Sequence, residues 1–138
     1  HHMGSYTQSG QDIDTLMANT SKDVGLLFDS GHAYFGGSDP VSVLKKHIDR
    51  VVHVHCKDVR QDVMVKARNE QWSFLQSVLN GIFTVPGDGV IDFKAIWDVL
   101  KQADYNGWLV VEAEQDPALA PSYQYAKMGY DHIKQLIS

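Results

Sequence analysis

Three short apolar runs in this chain each end in residues that can do chemistry. Val24-Gly25-Leu26-Leu27-Phe28 leads into Asp29-Ser30-Gly31-His32. The run from Val51 carries His53 and His55 and continues into Cys56-Lys57-Asp58. Trp108-Leu109-Val110-Val111 leads into Glu112-Ala113-Glu114. Carboxylate, imidazole and carboxylate at the C-terminal ends of three parallel strands can converge on one divalent cation. A mixed oxygen and nitrogen set of this kind suits Mn²⁺ or Co²⁺, with Zn²⁺ or Mg²⁺ as further candidates, and gives no reason to expect a thiolate site. Side chains alternate along a strand, so His53 and His55 share a face while Val52, Val54 and Cys56 take the other. His55 then lies nearest the strand end and His53 one layer deeper, with Cys56 turned toward packing helices. Glu112 and Glu114 share a face in the same way, Glu114 further out.

Each residue also has a plainer reading. An Asp after a strand is often a helix cap, and a lone strand histidine is more often a core residue than a ligand. For His53 the two readings balance. For His55 the ligand reading leads, because Asp29 and Glu112 occupy equivalent places. The Gly87-Asp88-Gly89 segment is a turn, since it lacks the spacing of a phosphate loop and the strand before it.

The surrounding elements alternate. Gln11 to Ala18 has helical spacing in Ile13, Leu16 and Met17, and Val24 to Phe28 is an apolar run of the kind buried on both faces of a sheet. Ser30 to Ser38 reads as a glycine-rich loop, with Asp39 and Pro40 opening a helix to about Asp49. Val51 to His55 is the second strand, Asp58 to Lys66 a long loop, and Asn69 to Leu79 a helix. Asp92 caps a strongly periodic helix that ends near Asn106-Gly107; Trp108 to Val111 is the third strand and Pro121 to Ile137 the closing helix. Strands alternating with helices predict a parallel sheet, either open or closed into a barrel, and both place their chemistry at the C-terminal strand ends.

Composition narrows the function classes. The chain has 138 residues, of which 43% are hydrophobic, enough for a core of ordinary size. Twelve Lys and Arg against 17 Asp and Glu give a net charge of −5, which argues against nucleic acid as a partner. No apolar run approaches the roughly 20 residues of a membrane span. The single cysteine, Cys56, excludes an internal disulfide, and no secretory leader is visible, so a cytoplasmic setting is expected.

The quoted strand ends, together with Gly87-Asp88-Gly89-Val90-Ile91-Asp92-Phe93, resemble the xylose-isomerase-like TIM-barrel superfamily. Within it, His1-His2-Met3-Gly4, Asp29-Ser30-Gly31-His32-Ala33-Tyr34 and Glu112-Ala113-Glu114-Gln115-Asp116-Pro117 are most similar to the inosose (2-keto-myo-inositol) dehydratases of inositol catabolism. The resemblance covers nearly the whole chain but only the C-terminal half of the family's (β/α)8 barrel. It implies an α/β fold in which residues 1–138 supply strands five to eight with their helices. It also implies a single divalent metal held by Asp29, His55 and Glu112. The fifth-strand acidic ligand of the family falls at or just before His1, where this chain has imidazoles instead.

The activity implied is that of a lyase: metal-dependent loss of water from inosose, giving a trihydroxycyclohexane-dione. Glu112, Glu114 and His32 are the expected catalytic groups, and His32, Lys57 and Arg60 the expected substrate contacts. A metal-dependent sugar isomerase or epimerase of the same superfamily needs nearly the same site and is the alternative. The expected partners are a small polyol ketone and the N-terminal half of the barrel, with a homo-oligomer open. Two rivals carry less support. An abasic-site endonuclease on this barrel needs further metal ligands and a basic surface, and a non-catalytic domain would use the strand ends only as caps.

Overall fold

The computed structural model describes residues 1–138. The three apolar runs form β1 (Leu26–Asp29), β2 (Val51–Cys56) and β5 (Leu109–Val111), paired in parallel in the order β1-β2-β5. Around them run α1 (Gly10–Ala18), α2 (Ser30–Phe35), α3 (Pro40–His47), α6 (Phe93–Gln102) and α7 (Ser122–Ile137). A short 3-10 turn, Ile48–Arg50, leads from α3 into β2. His1 and His2 take no part in a strand, although the His1 ring nitrogen Nε2 accepts the Asp29 backbone N–H at 3.1 Å.

One face of the sheet makes the main core. Leu26, Phe28, Val51, Val54 and Cys56 pack against Ile13 of α1, Leu44 of α3, Ile96 and Leu100 of α6 and Ile133 of α7. Cys56 is buried there as expected, and burial pushes its thiol up to about 12, so it remains a packing thiol. The other face carries Leu27, His53 and His55 and is less covered; Leu27 is 37% exposed. No helix is long and apolar enough to cross a membrane.

Four expectations are corrected by the structure. The segment after β1 is not a loop from Ser30: Asp29 caps a helix at once, its Oδ1 accepting the His32 N–H at 2.9 Å. Gly36 and Gly37 end that helix, Gly37 with a positive φ of 83°. The presumed loop Asp58–Lys66 holds β3 (Asp58–Val59) and the first part of α4 (Gln61–Asn69). Its charged residues masked a narrow apolar stripe of Met64 and Ala67. The helix expected from Asn69 begins only at Phe74 as α5 (Phe74–Leu79). Gln71 sits at a φ of 54° and breaks the chain, and Ser73 caps the new start. Val52 does not join Val54 and Cys56, because Leu26 pairs with Val51 and Leu27 with His53, leaving Val52 as a bulge that is 63% exposed.

β3 pairs antiparallel with β4 (Phe83–Thr84). This strand pair and the two helices of its connection, α4 and α5, enclose a second small core of Val59, Met64, Ala67, Ile82 and Phe83. The segment between α1 and β1 is fastened by Arg50. Its guanidinium donates to the carbonyls of Met17 (3.2 Å), Ser21 (2.6 Å) and Val24 (2.6 Å) and to the Thr20 hydroxyl (3.1 Å). Arg50→Ala leaves those carbonyls to solvent or unpaired, and we expect a stability loss of about 1–2 kcal/mol, read as a lower urea midpoint with an unchanged m-value.

Candidate active site

The strand ends converge. Asp29 closes β1, and its Oδ2 lies 3.5 Å from His55 Nδ1 and 3.5 Å from Lys57 Nζ. Glu112, directly after β5, places Oε2 3.8 Å from His55 Nδ1 and 2.8 Å from Lys57 Nζ. The parallel register sets Asp29 beside His55, and Cys56 beside Val111, so neighbouring strand ends arrive level with one another. Asp29 also answers the cap question: one oxygen caps α2 while the other faces the cluster.

Lys57 is the centre of this arrangement. It is only 1% exposed, and its ammonium meets Asp29, Glu112, Glu114 (3.5 Å) and His32 Nε2 (2.9 Å), with the Phe83 ring 4.9 Å away. Two local features carry its backbone and stem to that point. Ser30 Oγ donates to the Lys57 carbonyl at 2.7 Å and accepts its N–H at 3.2 Å, continuing the β1–β2 pairing past the strand ends. Gly31 on α2 leaves room for the stem, since a Cβ there would lie 2.5 Å from Lys57 Cγ.

Electrostatics follow from this packing. Burial drives Asp29 upward, but His55, the Lys57 charge and the His32 N–H together outweigh it and hold the carboxyl below its ordinary value. Contact with that carboxylate raises His55. Burial dominates at His32 and pushes its imidazole down to about 3. His32 is therefore neutral at working pH, with Nε2 accepting from Lys57 and the proton on Nδ1.

The remaining expected residues divide. Glu114 Oε2 lies 3.8 Å from His32 Nε2, so Glu114, His32 and Lys57 form one corner of the cluster. His53 is half-buried on the same face as His55, their rings 5.3 Å apart, and makes no hydrogen bond. Arg60 points elsewhere. Its guanidinium donates to the Gly81 carbonyl at 2.7 Å, Thr84 Oγ1 at 3.0 Å and Asp88 at 2.8 Å, and stacks on Tyr125. Asp58 is buried and accepts N–H bonds from Val59 and Ile91, so it orders the turn ahead of α6. His1 and His2 border the same open cleft, of about 600 Å³, as Asp29, His55 and Glu112. The sequence marked them only as a departure at a ligand position.

The donor set fits a divalent cation. One ligand atom each from Asp29, His55 and Glu112 lie within 4.8 Å of one another, the separation expected of atoms at about 2.0–2.6 Å from a shared centre. Glu112 Oε2 is also buried and has no aligned hydrogen bond. Neutral His32 carries a linkage consequence. Its folded value lies below the ordinary 6.5, so its contribution to stability is complete above that pH and is lost as pH falls toward about 3. Acid titration of unfolding should show that slope, and His32→Gln should flatten it.

Comparison with known proteins agrees with this architecture. The family model for the xylose isomerase-like TIM barrel matches residues 1–136. The rhizopine catabolism protein MocC of Rhizobium meliloti is 53% identical over 136 residues, covering 99% of this chain and 42% of that protein. Inosose dehydratases of Geobacillus thermodenitrificans and Histophilus somni are each 54% identical, covering 98% and 99% of this chain and 46% and 47% of theirs. The chain thus spans about half the length of the relatives it matches. Among solved structures, the probable 3-DHS dehydratase AsbF of Bacillus anthracis superposes with a TM-score of 0.71 at 14% identity, over 96% of this chain and 47% of that one. A D-tagatose 3-epimerase-like protein gives 0.59 at 18% identity, over 100% and 46%. Both share the fold. With three parallel strands whose ends gather acid, imidazole and lysine, and a family model spanning nearly all its residues, this chain belongs to the xylose isomerase-like TIM barrel family.

Proposed function

We propose that this chain forms the C-terminal part of a barrel that dehydrates inosose as a hydro-lyase, with its three parallel strands standing as the sixth to eighth; the fifth, expected to end at His1-His2, is not formed by these residues. The observation that carries this reading is the convergence of Asp29, His55, Glu112 and buried Lys57 at the strand ends. The substrate assignment is supported by relatives about half identical to this chain that are named inosose dehydratases. In this reading the missing half of the barrel covers the sheet face that bears Leu27 and His53, and the enzyme is cytoplasmic.

Asp29, His55 and Glu112 would hold the metal, Mn²⁺ or Co²⁺ ahead of Zn²⁺ or Mg²⁺, which supplies Lewis-acid polarisation of a ketone and its neighbouring hydroxyl. The rest of the chemistry belongs to side chains. Dehydration removes a proton α to the ketone and expels the β-hydroxyl as water, so a proton must be taken from carbon and one delivered to the leaving oxygen. Glu114 is a carboxylate with one oxygen unbonded, facing Lys57 and His32. It takes the α-proton and, as the carboxylic acid so formed, gives it to the departing β-hydroxyl, which leaves as water. Lys57 donates a hydrogen bond to the oxygen on which negative charge develops, in a place where its own solvation is already lost. Neutral His32 carries the Nδ1 proton without a partner and contacts the substrate hydroxyls. Arg60 acts at a distance, by holding the β3–β4 strand pair to Asp88.

Three outcomes test this. In the complete enzyme assayed on inosose, Glu112→Gln should abolish turnover, and retained activity would reject the site. Chelator treatment should remove activity, and Mn²⁺ or Co²⁺ should restore it. Gly31→Ala forces the Lys57 stem to move, so kcat should fall by about 10- to 100-fold while the metal content stays that of the parent.

A further inference from the structure

The Glu114 side chain makes a single hydrogen bond, and its partner is a residue no strand holds. His2 Nε2 lies 3.1 Å from Glu114 Oε1, whereas Oε2 has only the charge of Lys57 at 3.5 Å and the His32 ring at 3.8 Å. Glu114 follows β5 by three residues, in a segment without regular structure. Nothing in the backbone there fixes the direction of its carboxylate.

His2 is itself fixed on three sides. Its Nδ1 lies 2.6 Å from the Met3 carbonyl and its Nε2 faces the Glu114 carboxylate; both partners can only accept, so the ring bonds the two by donating from each nitrogen. Its ring lies against His32 with centroids 3.9 Å apart, and the Phe74 ring meets it edge-on at 5.9 Å. Phe74 owes its place to α5, whose start is capped by Ser73. A residue 112 positions away in sequence thereby presents Nε2 to one carboxylate oxygen.

Building on the reading of Glu114 as the proton acceptor, we infer that His2 is its positioning residue. The contact to Oε1 turns Oε2 toward Lys57 and His32 and keeps it there, and Phe74 stops the imidazole from swinging away. Without His2 the Glu114 side chain has no hydrogen bond to choose among its rotamers, and a displacement of about 1 Å at a reacting group is enough to cost on the order of 100-fold in rate.

The test uses the complete enzyme with His2→Phe, which keeps a ring against His32 and Phe74 but removes the bond, and His2→Gln, whose amide can still donate to Glu114. His2→Phe should lower kcat by about 10- to 100-fold with KM changed by less than about twofold, and His2→Gln should recover most of the loss. In a Glu114→Gln background His2→Phe should cost nothing more. A crystal structure of His2→Phe should show the Glu114 carboxylate withdrawn from Lys57 and His32. Unchanged kcat in His2→Phe, a full additional loss in the Glu114→Gln background, or a Glu114 carboxylate still in place would each overturn the inference. Should the parent enzyme fail to dehydrate inosose, the proposed function falls, and the crystal structure alone still decides the role of His2.

Discussion

A lysine ammonium removed from water and surrounded by three carboxylates is the interaction on which this site depends. Lys57 is 1% exposed, and Asp29, Glu112 and Glu114 all lie within 3.5 Å of its nitrogen. Three anions gathered at strand ends repel one another, and one partly desolvated carboxylate alone would shift toward its neutral form. The ammonium offsets part of that repulsion and lets the acids stay close. Removing either side would leave uncompensated charge in a buried place, which is why such pairs are costly to break even where they add little net stability. One cation against three anions leaves an excess of negative charge, and that excess is what a divalent ion would meet beside His55.

Much of the local architecture serves this one placement. Ser30 couples the Lys57 backbone to the end of β1, and Gly31 clears the path of its stem. Phe83 of β4 meets the ammonium with its ring, and Arg60 and Asp88 brace the β3–β4 pair. The main core on the opposite sheet face supplies the rigidity that keeps β1, β2 and β5 in register. Function and packing are thus divided by the two faces of one sheet, as the alternation of strand side chains requires.

The positions of Asp29 and Glu112 were legible in the sequence because each follows a continuous apolar run and is chemically out of character with it, and that of His55 because it ends the alternating run from Val51 at an equivalent place. The helices with wide apolar stripes, such as α6 with Phe93, Ile96 and Leu100, were legible for the same reason of periodicity. α2 was not, because Gly31 and the glycines after Phe35 look like a loop until the Asp29 cap and the Lys57 stem explain them. α4 hid behind its charges, and the Val52 bulge hid in a run whose composition is uniform. Nor could the burial of Lys57 be read, since a lysine after a strand is ordinarily solvated. His2 and Glu114 are separated by almost the whole chain, so only the fold brings them together.

As a cation site, the strand-end cluster differs in one testable way from a set of caps and surface ion pairs: it binds one divalent ion. Anomalous diffraction at the manganese edge from crystals of the complete enzyme grown with Mn²⁺ addresses it directly. The expected result is one strong peak contacted by Asp29, His55 and Glu112, with Lys57 retained beside it and no second peak at Glu114. A crystal without a peak among those three side chains, or with manganese bound at another part of the barrel, would contradict it.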